Sequence, residues 1–310
     1  MYKILNKIYH ETLFGRVLIY FFHSTKDRLF SDRAHILFTY KKIFGVYPNL
    51  KNPKSLNEKI LWLKLNDRTS LHTQCADKFL VRDFIKQKIG EEYLVPLLFH
   101  TKNPEDINEN NLPENTPLII KTNHDSGGGF FVYNIKSINW TSLRENLKKR
   151  LSKNYYQQSK EWQYKNIEPR IIVEKLLQDK NGNIPFDYKL HCFNGKVRMI
   201  SVDMGRGTDQ HYRNWYTTSW EREKFKWSSP KENGKNTDPS DEDLEKPMNL
   251  DQMINLAEKL ASSFIYVRVD LYDVDGKLYF GELTFHHDGG YRPIFPKEWD
   301  LKLGKQLNLK

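Results

Sequence analysis

Hydrophobic positions in the first 90 residues recur at helical spacing. In SLNEKILWLKLND, Ser55 and Glu58 precede Ile60, Leu61, Leu63 and Leu65. Those two residue types three apart close a capping box, so a helix is predicted from about residue 56. DKFLVRDFIKQKIG continues in helical register from Asp77 to Gly90, where glycine suits the residue that ends a helix. Nearer the start, Ile4, Leu5, Ile8, Leu13 and Val17 form a stripe among Lys3, Lys7 and Arg16. This predicts an amphipathic helix packed on the core; the same period would suit a helix lying on an anionic membrane surface. The apolar run Val17 to Phe22 is far shorter than the ~20 residues of a bilayer span. No small-residue cleavage site follows it, so a secretory signal is not expected.

Beyond residue 90 the period shortens. YLVPLLF predicts a strand, and NPEDINENNLPENTP a polar loop or short helix. In PLIIKTNHDSGGGFFVYN, a buried strand ends at Lys121, a polar turn and Gly127, Gly128 and Gly129 follow, and a second apolar strand begins. SLRENLKKRLSKNYY predicts a helix with its charges on one side, and RIIVEKLL a strand from Arg170. FDYKLHCF and VRMISVDMG form a hairpin across Asn194-Gly195, and YVRVDLYDVDGKLYFGELTF a second across Asp275-Gly276, dipeptides that accept the positive φ of tight turns. Between them, SSPKENGKNTDPSDEDLEKPMN predicts a mobile surface loop, and LDQMINLAEKLASSF a helix burying Met253, Leu256, Ala257 and Leu260. Hairpins separated by helices make the class α+β. The lack of βαβα alternation argues against a TIM barrel or a doubly wound sheet.

Composition narrows the partners. The chain of 310 residues carries a formal charge of +10, which fits an anionic partner such as a nucleotide or an acidic sugar. No nucleic-acid module is recognisable, so nucleic acid is not an expected partner. Cys75 and Cys192 stand far apart, which predicts no disulfide framework and a cytoplasmic location. There is no Cys-x-x-Cys pattern, and adjacent His286 and His287 would point to opposite faces of a strand.

Two stretches carry candidate chemistry. Gly127 to Gly129 after Lys121 read either as an ordinary hairpin loop or as a loop whose bare N–H groups cover an anion. The spacing is neither a P-loop nor a dinucleotide fingerprint. In the second hairpin, Arg268 and Asp270 share one strand face, as do Glu282 and Thr284 on the return strand. This reads as a solvated cross-strand ion pair or as a magnesium site, since Mg²⁺ combines one or two carboxylates with substrate phosphates. Asp273 and Asp275 form a D-x-D that could imitate a glycosyltransferase metal motif, but Asp-Gly has its own reason to occur at a turn.

In order along the chain, ADKFLVRDFIKQKIG, LIIKTNHDSGGGFF, IIVEKLL, FDYKLHCF and VRVDLYDVDGKLYFGELT resemble the motifs of ATP-grasp enzymes over about residues 75 to 300. NPKSLNEKILWLKLNDR, DYKLHCFNGKV and ELTFHHDGGYRP look like the TupA-like branch, associated with teichuronopeptide and other surface-polysaccharide biosynthesis. The resemblance implies an ATP-grasp fold of two α+β lobes gripping ATP: a helical region over residues 1–74, an N-lobe over 75–165 and a C-lobe over 166–310. It implies that Lys78 and Lys121 contact nucleotide phosphates and that Gly127, Gly128 and Gly129 close over them. Glu174 and the backbone of Lys175, Leu176 and Leu177 would contact adenine, with Asp187 and Lys189 as further nucleotide contacts. Asp270 and Glu282 would be Mg²⁺ ligands, and Arg268 would stand beside the transferring phosphate. Many members place Asn where Thr284 stands here, which bears on a second metal ion.

The implied reaction is ATP-dependent ligation of a carboxylate to an amine through an acylphosphate. The substrates would be a uronic-acid sugar or glycan and an amino acid or other amine, at the inner face of the cell membrane if the N-terminal helices dock there. Arg206, His211, Arg213 and Arg292 are candidates to hold the acceptor, since arginine binds carboxylates bidentately, and each arginine reads equally as a surface charge or a structural ion pair. His124, His286 and His287 lie near the same motifs. A phosphotransferase would show the same site residues, and a glycosyltransferase of the same pathway is a further alternative.

Overall fold

Side-chain caps fix where the first helices begin. Ser31 accepts from Ala34 N–H to start α1 (Asp32–Phe44). Ser55 and Glu58 form the expected reciprocal box at the start of α2 (Leu56–Asn66), a cap worth about 1 kcal/mol. The computed structural model describes residues 31–126, 128–205, 211–231 and 234–309. The amphipathic stripe from Ile4 to Val17, Gly127 and Arg206 lie outside the described residues.

After α3 (Ser70–Ala76), the predicted helix from Asp77 starts late, as α4 (Val81–Lys88). Asp77 Oδ1 accepts from the N–H groups of Phe79 and Leu80 at 2.8 and 3.3 Å, holding a turn ahead of the helix. The strand expected in YLVPLLF forms further on, as β1 (Leu97–Thr101), because Pro96 cannot donate to a ladder. β2 (Leu118–Thr122), β3 (Phe130–Val132) and β4 (Ile171–Lys175) complete an antiparallel sheet of order β1-β4-β2-β3. The helix predicted in SLRENLKKRLSKNYY is split into α5 (Trp140–Leu151) and α6 (Tyr155–Ser159), the second started by an Asn154 side-chain cap. α5 packs Leu143 and Leu147 against Leu118, Ile120, Ile171 and Val173, so this sheet has its own apolar core.

The second sheet has order β10-β9-β5-β6-β7 and is antiparallel throughout. Its strands are β5 (Asp187–Phe193), β6 (Lys196–Met204), β7 (Tyr212–Tyr216), β9 (Tyr266–Val274) and β10 (Lys277–Thr284). Asn194-Gly195 and Asp275-Gly276 turn with φ between 50° and 89°, as their dipeptides predict. α7 (Leu250–Ala261) lays Met253, Leu256, Ala257 and Leu260 on one face of the sheet, against Leu190, Val202, Val267 and Val269. On the other face, a second cluster of Phe193, Met199, Trp215 and Tyr266 is closed by α2, α8 (Glu298–Gln306) and the short pair β8 (Lys226–Trp227) and β11 (Ile294–Phe295).

One irregularity decides what β10 presents. Leu278 and Phe280 point into the α7 core, and so do Leu283 and Phe285, an odd step apart. The register breaks between Phe280 and Glu282, where Gly281 is the extra residue of a bulge. Were Gly281 paired as a regular strand residue, unbroken alternation from Leu278 and Phe280 would drive Glu282 into the apolar core.

The polar segment from Ser228 to Asn249 is largely irregular, as expected, but it is pinned. The buried Asn214 amide donates to Ser240 Oγ and Glu242 O at 3.0 and 2.9 Å, and Trp220 donates to Leu244 O. A buried amide needs such partners, and the loop supplies them.

Candidate active site

Strand alternation places chemistry on the sheet face away from α7. β5 contributes Asp187 and Lys189, β6 Ser201 and Asp203, β7 Arg213, β9 Arg268 and Asp270, and β10 Glu282 and Thr284. The register sets Glu282 opposite Asp270, Asp270 opposite Lys189, Asp187 opposite Asp203, and Asp203 opposite Arg213.

These charges neutralise one another. Arg268 grips Asp270 through Nε and Nη2, both at 2.6 Å, and reaches Glu282 Oε1 at 2.8 Å. Lys189 donates to Asp270 at 2.8 Å and also to Asp187. Arg213 binds Asp203 at 2.6 and 3.1 Å and donates to Ser229 Oγ at 2.7 Å. Burial opposes ionisation of Asp203, but Arg213 and Lys189 outweigh it and hold the carboxyl well below its ordinary range. At Asp270 burial prevails over Arg268 and Lys189, and the carboxyl is pushed up. The remaining Arg268 nitrogen, Nη1, donates to His287 Nδ1 at 2.9 Å. That bond requires a neutral imidazole, and burial followed by the charge of Arg268 holds the His287 pKa well below normal.

Near the end of β2 the four-stranded sheet presents Lys121 beside a second cation from α4. Lys121 stands 2.5 Å from Glu174, which also takes Arg82 at 3.3 Å. Gly129 passes directly over β2: a Cβ there would come within 2.5 Å of Ile119 Cγ1 and 2.7 Å of Lys121 Cγ. Glycine at this point is therefore a requirement of close approach, whereas Gly128 faces open space. Lys78 is half-buried and donates to the Asp125 carbonyl; burial lowers its pKa, opposed by Glu282 and Asp125 and reinforced by Lys121 and Arg150. The influence of Glu282 on Lys78 links the acidic hairpin to the glycine-loop side.

Arg150 had no signal in the sequence beyond belonging to the basic run KKR of a charged helix face. Its Nε and Nη2 hold both oxygens of Asp125 at 2.8 to 3.0 Å, and its Nη1 holds the Gly128 carbonyl at 2.5 Å. Thr122 donates to the same carboxylate at 2.7 Å. This clasp ties the helix after the loop to the loop itself.

The structure thus groups Lys78, Lys121, Gly128, Gly129 and Glu174 on one side, and Asp187, Lys189, Arg268, Asp270, Glu282 and Thr284 on the other. Lys175 and Leu176 donate their N–H groups to the carbonyls of Pro96 and Pro117 at 3.0 and 2.9 Å; Leu177 is half-buried. His211 lies 3.8 Å from Asp203, at the Arg213 end of the charged face. Arg292 is half-buried, and its backbone carbonyl accepts from Asn57 and Trp227. His286 is buried against Gln163 and Glu161. His124 bonds the Lys153 carbonyl at 3.1 Å and so orders the turn before the loop. Asp275 accepts from Lys180 N–H, and Asp273 from Gly276 N–H at the hairpin tip.

Among the described residues no set of three or more His, Cys, Asp or Glu could hold a metal alone. Two facing carboxylates and the Thr284 hydroxyl, 3.0 Å from Glu282, do fit Mg²⁺, which completes its oxygen shell with phosphate and water.

A glycine-loop sheet set against an acidic hairpin sheet is an ATP-grasp fold. The model of the TupA-like ATP-grasp family matches residues 58–308, and the chain belongs to that family. No curated protein matches it. Among solved structures it is similar to a D-alanine–D-alanine ligase from Bacillus anthracis, with 18% identity and a TM-score of 0.41 over 74% of this chain and 58% of that one. It is also similar to an L-amino acid ligase from Bacillus licheniformis, with 12% identity and a TM-score of 0.40 over 81% of this chain and 48% of that one. The chain spans less than two thirds of the length of either.

Proposed function

We propose that the protein is an ATP-dependent carboxylate–amine ligase. It would join the carboxylate of a uronic-acid sugar or glycan to an amino acid or other amine during surface-polysaccharide assembly. The observation that carries this reading is Lys121 beside Gly129 on one sheet and the Arg268, Asp270 and Glu282 cluster on the other, with Lys78 under the charge of both Lys121 and Glu282.

In this reading Lys78 and Lys121 take the nucleotide phosphates, and the glycine loop covers them with main-chain N–H groups. Glu174 and the end of β4 hold the base side, and Asp187 and Lys189 hold the sugar and phosphate side. Bound Mg²⁺ would offset phosphate charge beside Asp270 and Glu282. Arg268, oriented by His287, would present its guanidinium to the phosphoryl group in transfer. The acceptor carboxylate attacks the terminal phosphorus of ATP. ADP leaves, and an amine displaces phosphate from the acylphosphate to form the amide. Arg292 pairs with no carboxylate among the described residues, which leaves its guanidinium for the acceptor. Arg213 supports the far end of the face through Asp203, with His211 beside it and Arg206 following β6 in sequence. No helix of the described residues is long and apolar enough to cross a membrane.

The test is a mass spectrum of protein, ATP, Mg²⁺, uronic-acid donors and pooled amines. A product heavier by one amine minus water is expected. A product heavier by one phosphoryl group would replace the ligase reading with a phosphotransferase.

A further inference from the structure

α8 meets the start of α2 so closely that a Cβ on Gly304 would lie 2.1 Å from the Lys54 carbonyl. Beside that contact runs a groove of about 660 Å³, outside the nucleotide cleft. Lys51, Lys54, Lys59 and Lys305 stand around it, with Trp62 and Leu309 half-buried between them and no carboxylate in its lining. Lys59 is held in place by a 2.6 Å bond to the Leu307 carbonyl. Burial, and then the charge of Lys54, disfavours its protonated form. The comparison within the molecule is a groove of about 700 Å³ beside the Asn194-Gly195 turn. There Lys196 is paired with Glu258 at 2.5 Å and Asp251 adds further negative charge. One groove is balanced; the other gathers positive charge around an indole.

We infer that the groove between α2 and α8 is a second binding site, for a stretch of acidic saccharide away from the reacting sugar. Ammonium groups at its rim match carboxylates spaced along a glycan. The half-exposed indole offers a flat apolar face to the C–H face of a sugar ring, with its polar edge left to other partners. A membrane surface fits less well, because the apolar side chains that would have to insert lie between the lysines in a concave trough. The inference rests on the acidic-glycan reading above and extends it from one sugar to a chain.

The experiment is a titration of the full chain, without ATP, with a size-defined oligogalacturonate. Its methyl ester, pyrophosphate and phosphatidylglycerol vesicles serve as further probes. Oligogalacturonate is expected to bind and its methyl ester not to bind. The variant K51Q/K54Q/K305Q and, separately, Trp62→Ala should each weaken binding about tenfold or more, since they remove charge and stacking independently. Equal binding by wild type and both variants would overturn the site. Binding that needs the lysines but not Trp62, and that pyrophosphate or vesicles abolish, would overturn the saccharide assignment. Because no ATP is present, the result stands apart from the ligase assay. Saccharide binding without amide formation would count against the ligase alone. Amide formation with the same KM for a long acceptor in wild type and variants would count against the groove alone.

Discussion

The two sheets that face the cleft handle charge in opposite ways. The four-stranded sheet leaves its cation part-exposed near the end of β2: Lys121 is 22% exposed at the side chain, and its partner Glu174 is shared with Arg82. The five-stranded sheet buries Arg268, Asp270, Lys189, Asp203 and Arg213 on its inner face and closes them on one another. A part-exposed cation can take a new anion with little rearrangement. A buried pair must first lose a partner, and leaving one half unpaired is expensive. Under the proposed function, the first side would capture phosphate and the second would hold a fixed geometry that ligand binding has to open.

Mutations should separate the two sides. Arg268→Met is expected to have the largest effect. It leaves Asp270 and Glu282 short of a cation, so turnover should fall about 10³-fold and stability by about 3 kcal/mol. ADP release and urea unfolding measure the two losses. Lys121→Ala should lower turnover by about 10²-fold while the unfolding free energy changes by less than about 1 kcal/mol, because Arg82 still neutralises Glu174. Equal destabilisation by the two variants would erase the contrast. Arg150→Ala should raise the KM for ATP about tenfold with a smaller change in kcat, since it frees the glycine loop without touching reacting atoms. Arg150→Lys, which cannot grip Asp125 bidentately, should recover only part of the loss.

The last test reads stability alone and concerns a buried lysine with no carboxylate in contact among the described residues. Lys64 lies under the turn of residues 287–290, 3.5 Å from the Gly289 carbonyl and 4.8 Å from the centre of the Tyr291 ring. Burial lowers its pKa to about 8. Between about pH 8 and the unfolded value the unfolded chain carries a proton that the folded chain lacks, so this contribution rises with pH. Relative to Lys64→Met, wild type should gain stability by up to about 1.4 kcal/mol per pH unit in that window. Urea unfolding of both proteins at about pH 7.5 and about pH 9.5 checks the sign.

Local chemistry carried much of the sequence reading. The Ser55–Glu58 box, the two positive-φ turns and the α7 stripe are set by neighbours within a few residues, and they form as expected. The pairing of Arg268 with Asp270 and of Glu282 with Thr284 on common faces follows from strand alternation. What escaped depends on distant partners. The Asp77 side chain delays α4, and Pro96 displaces β1. The role of Arg150 exists only because α5 returns to the glycine loop. The commitment of Arg213 to Asp203 requires knowing that β6 and β7 are neighbours. The jump from Leu278 and Phe280 to Leu283 and Phe285 did leave a trace of the Gly281 bulge in the hydrophobic pattern.

That bulge makes β10 two half-strands of opposite phase joined at a single residue. If Gly281 were instead paired like an ordinary strand residue, one half would turn inside out, exchanging Glu282 and Thr284 for Leu283 and Phe285 at the site face. At the Asp275-Gly276 tip, added residues would lengthen a loop and leave both phases as they are. The same hairpin is thus rigidly counted at one end and freely extendable at the other.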